Sequence, residues 1–269
     1  MIFFFTFPQI LLKKDLQNFK YKISLSSESC KIYEGSSSKP ITVKDGCVKI
    51  TQCKFSGLTQ QKGGACFFSK TNVSIVFSTF DSNSADYGGS FYCMDCYSLS
   101  INNTYFVRNH ADRFGSIYYH GHHRGTPITF DNSNISFSEA QTSISGIHYE
   151  KAVSHFSRSF FTNSYSPNYG MLWDWTAYPD EGQYLHNVFN NISSKTEGAV
   201  FTAFHWMHYS LFSGCYFQNL HGKQPTSLYI YSRDSTIHIN DCVFDEDSVG
   251  CRFNPLYNSI FINNERLTK

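Results

Sequence analysis

An internal repeat constrains the fold of this chain more than any other feature. Residues 73–92 read VSIVFSTFDSNSADYGGSFY, and residues 99–118 read LSINNTYFVRNHADRFGSIY. Both segments carry an apolar pair two residues apart, then F-x-x-N, then an alanine and a glycine, in the same order and at the same distances. Apolar alternation predicts strands with one buried face, and a period of this length is typical of a solenoid.

The same register extends along the chain through one apolar anchor position in each repeat. The anchors follow one another at steps of 25 to 29 residues and are Phe55, Phe80, Phe106, Ile135, Phe160, Val188, Tyr216 and Phe244. This spacing predicts an all-β fold, a right-handed parallel β-helix (solenoid) of about eight coils of 25–29 residues. We expect the β-helix over residues 48–254, an N-terminal cap over 1–47 and a C-terminal cap or tail over 255–269. In the sixth coil the polar Glu181 and Gln183 replace the apolar pair, which predicts an insertion there.

A small polar residue follows most anchors at the third position. We expect a structural ladder there, formed by Asn83, Asn109, Asn163, Asn191, Asn219 and Asp247. Stacked asparagine amides can donate to one coil and accept from the next, and asparagine also tolerates the left-handed backbone of a tight bend. A glycine column comes later in each repeat, including Gly64, Gly89 and Gly115, and predicts a backbone conformation that a Cβ would strain.

Aromatic residues recur three positions after the glycine column. They are Phe67, Tyr92, Tyr118, Tyr149, Trp173, Phe201, Tyr229 and Phe253. The neighbouring small residues favour an inward stack, but an outward ladder of rings also fits the pattern. An outward ladder would offer a stacking surface for sugars or protein partners.

The repeat resembles that of a known family of surface proteins. The segments F80-D-S-N83, F106-V-R-N109 and F160-F-T-N163 match the FxxN element of chlamydial-type polymorphic outer-membrane proteins. The segments G63-G64-A65-C66, G88-G89-S90-F91 and E197-G198-A199-V200 are similar to its GGA element. Related β-helix sets occur on the surfaces of parasitic protists such as trichomonads. The resemblance covers about residues 48–253 and implies a passenger-type β-helix used for adhesion or surface display.

Charge and hydropathy narrow the classes of partner. The chain has 22 basic and 21 acidic residues, a formal charge of +1, and carries no basic run of the kind that binds nucleic acid. Residues 1–12, MIFFFTFPQILL, are apolar but too short to span a bilayer, and fit either a degraded signal or a hydrophobic cap. We expect no transmembrane helix. An extracellular or cell-surface location is favoured, although the sequence does not fix the compartment.

Cysteine and histidine patterns give no strong metal signal. The chain has nine cysteines, and Cys93-Met-Asp-Cys96 is a lone C-x-x-C, which is weak evidence for zinc or redox chemistry. We expect free or buried thiols there and leave the pairing of the cysteines open. His120-Gly-His122-His123 lies in a predicted turn with no carboxylate or thiol close in sequence, so we expect a surface turn. No cofactor and no metal are predicted.

One segment combines tryptophans with acids. In WDWTAYPDEGQY, Trp173 and Trp175 flank Asp174, and Asp180 and Glu181 follow. Glu150 occupies the position of Asp174 in the preceding coil. A sugar ring could stack on the tryptophans beside these acids, so we predict a binding site at Glu150, Trp173, Asp174, Trp175, Asp180 and Glu181.

Three functions stay open at this point. The first is a non-enzymatic repeat protein that acts in adhesion or binding, with host or cell-surface glycans or proteins as partners. The second is a carbohydrate-active enzyme, similar to a polysaccharide lyase or glycoside hydrolase, with a cleft near residues 173–181. Such an enzyme needs a cluster of acids on one face, and adjacent coils offer few acids in matching columns. The third is a structural module of a larger surface protein. We predict no catalytic residue.

Overall fold

The structure is a computed structural model that describes residues 30–175, 181–196, 198–203, 209–223, 227–230, 236–244, 249–251, 260–262 and 265–266. The strands are β1 (Lys31–Ser37), β2 (Ile41–Ser56), β3 (Cys66–Val76), β4 (Thr79–Asp81), β5 (Ser84–Tyr87), β6 (Phe91–Cys96), β7 (Ser98–Asn102), β8 (Tyr105–Val107), β9 (His110–Arg113), β10 (Ile117–Gly121), β11 (Thr126–Asp131), β12 (Asn134–Ser136), β13 (Glu139–Ala140), β14 (Ile147–Glu150), β15 (Ala152–Ser157), β16 (Phe160–Ser166), β17 (Leu172–Trp175), β18 (Glu181–Leu185), β19 (Val188–Ser194), β20 (Phe201–Ala203), β21 (Tyr209–Ser213), β22 (Tyr216–Gln218), β23 (Leu228–Ile230), β24 (Thr236–Asn240), β25 (Val243–Phe244), β26 (Val249–Cys251), β27 (Ile260–Ile262) and β28 (Glu265–Arg266).

These strands pair in parallel with their counterparts one repeat away, so the chain winds into a solenoid. Val73 pairs with Leu99 and Ile75 with Ile101, one repeat further on, and both pairs are buried. The predicted all-β parallel solenoid is confirmed, and its number of turns is close to the predicted number. The right-handed sense of the coil and the division into caps and body stay predictions. Parallel pairing reaches Lys31 on one side and Arg266 on the other.

Each turn of the solenoid contributes strands to three faces. Face A contains the first halves of β2 and β3, followed by β6, β10, β14, β17, β20, β23 and β26. Face B contains the second halves of β2 and β3, followed by β7, β11, β15, β18, β21, β24 and β27. Face C contains the end of β2, followed by β4, β8, β12, β16, β19, β22, β25 and β28. On every face alternate side chains point into the interior, as strand geometry requires.

The inner side of face C is a stack of phenylalanine rings. The buried column is Phe55, Phe80, Phe106, Ile135, Phe161, Phe189, Phe217 and, partly buried, Phe244. Consecutive rings lie parallel at 4.9 Å between Phe80 and Phe106 and at 5.0 Å between Phe161 and Phe189. The rung spacing of a parallel sheet matches the distance that offset aromatic rings prefer, so the repeat places ring upon ring.

This column corrects the predicted anchors in three coils. Phe161, Phe189 and Phe217 are the inner residues, and the predicted Phe160, Val188 and Tyr216 point outward, with Phe160 49% exposed. Since side chains alternate along a strand, a shift of one residue turns every side chain to the opposite face. The same shift explains the polar pair of the sixth coil: Gly182 and Tyr184 occupy the inner positions of β18, and Glu181 and Gln183 point outward. The chain between Trp175 and Gly182 is also three residues longer than the chain between their partners Glu150 and Ser154, which agrees with the predicted insertion.

The predicted asparagine ladder therefore divides into two columns. Asn83 and Asn109 lie in the interior, followed in the next coils by Ser138 and Ser164. Asn163, Asn191 and Asn219 stand one position away, at a bend with positive φ angles of 50°, 51° and 50°. Asn191 donates to Asn163 at 2.7 Å on the outside of this bend, whereas Asn219 donates to Asn190. Asp247 lies outside the described residues.

A second polar column in the interior was not predicted. It stands two residues before each anchor and contains Cys53, Ser78, Thr104, Ser133, Ser159, Asn187, Cys215 and Cys242. The backbone N–H of Thr104 donates to Oγ of Ser133 at 3.0 Å, and that of Ser133 donates to Oγ of Ser159 at 3.1 Å. Each hydroxyl also donates back to its own strand, as Ser133 does to the carbonyl of Asp131. These side chains satisfy backbone N–H groups at the corner between faces B and C, where the ladder is interrupted.

The glycine column is required by close packing. A Cβ on Gly64 would lie 2.2 Å from the carbonyl oxygen of Gly89, and one on Gly115 would lie 2.3 Å from that of Ser145. Positive φ occurs one residue earlier, at Gly63 and Gly88. At Gly64, Gly89 and Gly115 the reason for glycine is therefore steric, because successive coils touch there. Gly170 and Gly198 of the same predicted column have positive φ angles of 46° and 67°, the backbone conformation that a Cβ strains.

Two disulfides are present among the described residues. Cys30 is bonded to Cys47, and Cys93 to Cys96. The expectation of free thiols at the C-x-x-C pair is therefore wrong, because these two buried residues are joined. Cys53, Cys66 and Cys215 are buried in the core outside these disulfides, and burial raises the pKa of the Cys66 thiol well above its ordinary value.

Candidate functional site

An aromatic column runs along the outer side of face A. In register it contains Phe67, Tyr92, Tyr118, His148 and Trp173, followed by Thr202 and Tyr229. The alternate residues of the same strands, such as Phe91 and Tyr119, face the core. Whether the predicted aromatic residues point inward or outward thus differs from one position to the next. Tyr149 and Phe201 point inward, the other predicted rings on the described strands point outward, and Phe253 lies outside the described residues.

The outer column is covered at its edges by neighbouring rings. Tyr92 and Tyr118 are only 5% and 8% exposed although they point away from the core, and His148 is 2% exposed. Tyr87 packs edge-on against Tyr92 with centroids 6.4 Å apart, and Phe114 lies 4.3 Å from His148 in a stacked arrangement. Both covering residues belong to the segments that precede the glycine column. The result is a second, smaller aromatic cluster on the outside of the solenoid.

A cleft of about 370 Å³ opens within this cluster. It is lined by Tyr87, Tyr92, Phe114, Tyr118, His148, Glu150, Trp173 and Trp175. Its volume falls within the range that small-molecule sites occupy in proteins, and its composition is typical of such sites, mostly apolar with few polar groups. We refer to it as the aromatic cleft.

The rings of the aromatic cleft meet at different angles along its length. Tyr92 and Tyr118 are stacked at 4.4 Å with 14° between their planes, and Tyr118 and His148 at 5.1 Å with 8°. Trp173 stands at 90° to His148, and the Trp173 and Trp175 planes are inclined by 55°. Trp175 is 42% exposed and forms the outer rim. The tryptophan end is therefore more open than the stacked tyrosine end.

Among the described residues that line the cleft, Glu150 is the one carboxylate, and three neighbouring side chains hold it. Its Oε1 accepts a hydrogen bond from the hydroxyl of Tyr118 at 3.1 Å and lies 2.7 Å from Nε2 of His148. Its Oε2 lies 3.8 Å from Nε2 of His120. Nδ1 of His120 in turn lies 3.0 Å from Oδ1 of Asp95. The strands that carry these groups are neighbours on face A, which is why residues far apart in sequence meet.

The ionisation of the Glu150–His148 pair follows from its surroundings. Burial alone would raise the pKa of the Glu150 carboxyl, but the hydrogen bonds from His148 and Tyr118 outweigh it and leave the pKa below its ordinary value. Burial lowers the pKa of His148 below 6.5, although the bond to Glu150 opposes this. At neutral pH the pair is thus a carboxylate and a neutral imidazole that donates from Nε2. Burial also raises the pKa of Tyr92 to about 12, so its hydroxyl stays protonated.

The structure brings together three of the six residues predicted for binding. Glu150, Trp173 and Trp175 line the aromatic cleft. Asp174, between the two tryptophans, points into the solenoid, where it is 1% exposed and pairs in register with Tyr149. Glu181 lies exposed at the start of β18 on face B, and Asp180 lies outside the described residues. The alternation of strand β17 separates Asp174 from its neighbours, so of the three predicted acids that the structure describes, only Glu150 lines the cleft.

Sequence reasoning missed Tyr87, Phe114 and His148 as site residues. Tyr92 and Tyr118 were already visible as members of the aromatic column. His148 stands two residues after Gly146, whereas the column was predicted at the third position, which selected Tyr149. Counting two residues from Gly146 would have found His148. Tyr87 and Phe114 each precede their glycine column, and an aromatic at that place in consecutive repeats was the available signal.

Metal and membrane features were also searched over the described part of the chain. There, no group of three or more His, Cys, Asp or Glu residues is arranged to hold a metal ion. Within the same residues there is no helix of the length and apolar character needed to cross a bilayer.

Comparisons with models of protein families, with curated proteins and with solved structures found no match to this chain. The resemblance to polymorphic outer-membrane proteins rests on the FxxN and GGA motifs, and it stays a hypothesis.

Proposed function

We propose that this chain is a non-enzymatic binding protein of the cell surface or the secreted space, which engages host or cell-surface glycans or proteins. The observation that carries the proposal is the aromatic cleft on the outer side of face A. A concave, mostly aromatic surface with few polar groups is the type of site in which proteins bind ligands or partners. Tryptophan and tyrosine also dominate the energetics of binding surfaces.

The disulfides support the extracellular part of the proposal. The Cys30–Cys47 and Cys93–Cys96 bonds persist in oxidising compartments and are rare in the reducing cytosol. The FxxN and GGA motifs support it independently, because the family that they resemble displays its β-helices on cell surfaces. Both arguments concern the location of the protein. The class of ligand is inferred from the aromatic cleft alone.

The position of Asp174 favours binding over hydrolysis. Glycoside hydrolysis generally uses two carboxyl groups that flank the scissile bond. Of the two acids nearest to the tryptophans, Glu150 faces the cleft and Asp174 faces Tyr149 in the interior. Glu150, the carboxylate that the described part of the chain places in the cleft, is suited to orienting a ligand through hydrogen bonds and charge.

A glycan array and a host-cell binding assay with purified protein test the proposal. We expect the wild type to bind and Trp175→Ala to weaken binding by roughly ten-fold or more, because the most exposed aromatic contact of the cleft is lost. Phe160→Ala is the matched control, since Phe160 is an exposed aromatic of similar accessibility on face C. Arrays and cells that stay blank would overturn the proposal, as would equal losses in the two variants. Cleavage of an arrayed polysaccharide that depends on Glu150 would replace it with the enzyme alternative.

A further inference from the structure

We propose that the tryptophan end of the aromatic cleft takes a cationic group of the methylated or quaternary ammonium class, the group that choline carries. The inference rests on the proposed binding function and specifies its ligand. It is carried by the conjunction of one fixed carboxylate with the rings that surround it. Aromatic cages of this kind recognise quaternary ammonium ions through the negative faces of the rings.

The charge of the site is set by Glu150. Its carboxylate accepts from Tyr118 and from the neutral His148, so two of its partners are uncharged donors. Its third partner, His120, lies farther away, with Nε2 at 3.8 Å from Oε2, and is shared with Asp95, whose Oδ1 lies 3.0 Å from Nδ1. Tyr118 and His148 leave the negative charge of Glu150 in place, and its side chain is only 25% exposed. A partly buried carboxylate in an aromatic cleft attracts a cation more strongly than the same group in water. A ligand with a positive charge therefore complements the site.

The rings supply the rest of the cage. Trp173 and Trp175 lie with centroids 5.6 Å apart and planes inclined by 55°, next to Glu150 in register. Phe114 lies across from them, edge to face with Trp173 at 6.2 Å. Tryptophan is the best aromatic partner for a cation, and rings at different inclinations can surround a group with several methyls.

At the opposite end of the cleft, two cationic side chains of the protein itself lie over aromatic rings. Nζ of Lys62 lies 5.2 Å from the centroid of Tyr92, and Cζ of Arg113 lies 5.7 Å from that of Tyr87. Tyr92 and Trp173 are three rungs apart, which is roughly 14 Å at the spacing of parallel strands. The chain's own cations thus occupy the tyrosine end, and a ligand cation is placed at the end that carries Glu150.

Two other ligand classes fit the charge less well. A neutral sugar can stack on Trp175 and bond to Glu150, but it brings no positive charge to complement the carboxylate. An acidic sugar would bring a second negative charge close to Glu150, which is unfavourable in a partly buried site. The ammonium class uses both the rings and the carboxylate.

Titration with choline followed by tryptophan fluorescence and by calorimetry tests the inference, since two of the three tryptophans line the cleft. The comparison ligand is 3,3-dimethyl-1-butanol, which has the shape of choline with carbon in place of the charged nitrogen. We expect choline to bind and the neutral isostere to bind at least roughly ten-fold more weakly. Glu150→Gln should weaken choline binding by a similar factor, and the exposed Glu181→Gln should leave it unchanged.

The outcomes separate this inference from the proposed function. Equal binding of choline and the isostere to the wild type would overturn the inference, even if Glu150→Gln failed to fold. Absence of choline binding together with Trp175-dependent binding of neutral glycans would overturn the inference and leave the proposed function standing. Absence of both would overturn both. A parallel titration uses phosphatidylcholine vesicles. If the ligand is a lipid headgroup, both free choline and the vesicles bind. If the ligand is an ammonium group on a soluble partner, free choline binds and the vesicles do not.

Discussion

Oδ1 of Asn109 accepts two hydrogen bonds from Asn83 in the preceding coil, one from the backbone N–H and one from Nδ2, both at 3.1 Å. Asn109 Nδ2 donates at 2.9 Å to the carbonyl of Phe80, and Asn83 repeats this arrangement toward Phe55. Both asparagines are fully buried. Each amide thus satisfies backbone groups at a corner where the sheet ladder is interrupted.

Asn109→Leu is expected to lower the free energy of unfolding by about 1–3 kcal/mol, because it leaves buried groups of Asn83 and Phe80 without a partner. Ser74→Leu, on the outer side of strand β3, is the control and should change stability by less than about 0.5 kcal/mol. Urea denaturation of both variants measures the difference. Equal costs would contradict the inner position of Asn109.

Phe137→Asn is expected to stabilise the protein by about 1 kcal/mol. Phe137 is 54% exposed and has a φ of 53°, a left-handed conformation that is costly for a bulky residue and easier for asparagine. The next three coils place Asn163, Asn191 and Asn219 at this bend.

Phe160→Asn is the matched control for this change. Phe160 is similarly exposed but lies within strand β16, where asparagine is disfavoured, so stability should fall or stay the same. Thermal unfolding of both variants checks the contrast. A loss of stability in Phe137→Asn would show that the ring contributes more than the bend costs.

Ser133→Ala is expected to destabilise by about 1–2 kcal/mol, because the buried N–H of Thr104 loses the Oγ that accepts its hydrogen bond. Ser56→Ala removes the same hydroxyl from an exposed position of strand β2 and should be nearly neutral. Chemical denaturation reports both values. If the two substitutions cost the same, the buried hydroxyl column is not a stabilising feature.

Acidification is expected to destabilise the fold through His148. Burial lowers the pKa of His148 in the folded state, so the unfolded chain takes up this proton at higher pH. Stability from this residue is fully present above the ordinary pKa of 6.5 and falls as pH drops toward the lower folded value. The bond to Glu150 moderates the effect.

The pH dependence is isolated by His148→Gln, whose amide can still donate to Glu150 but does not titrate. The wild type should lose more stability than the variant between neutral pH and about pH 5.5, where histidines change charge. Urea unfolding across this range measures both slopes. Parallel curves for the two proteins would assign the pH dependence to other histidines.

The candidate site was only partly predictable. Trp173, Trp175 and Glu150 were selected because aromatic and acidic residues lie close in sequence or in matching repeats. Tyr87, at the end of β5, and Phe114, directly after β9, reach the cleft because the chain there folds over the outer side of face A. The repeated aromatic before the glycine column does not by itself show that path. The sequence pattern places Asp174 on the outer side of the solenoid, whereas the alternation of strand β17 turns it into the interior.

The sequence by itself determined the architecture: alternation identified the strands, and the repeat length identified a chain that returns to the same place once in each lap. Only the tertiary structure decided which of two adjacent apolar residues points inward in coils five to seven. Phe160 and Phe161, Val188 and Phe189, and Tyr216 and Phe217 are each two adjacent apolar residues, so the pattern fits either phase. The contact that selects one of them is the stacking of Phe161, Phe189 and Phe217 on one another across coils, and that contact exists only once the solenoid has formed.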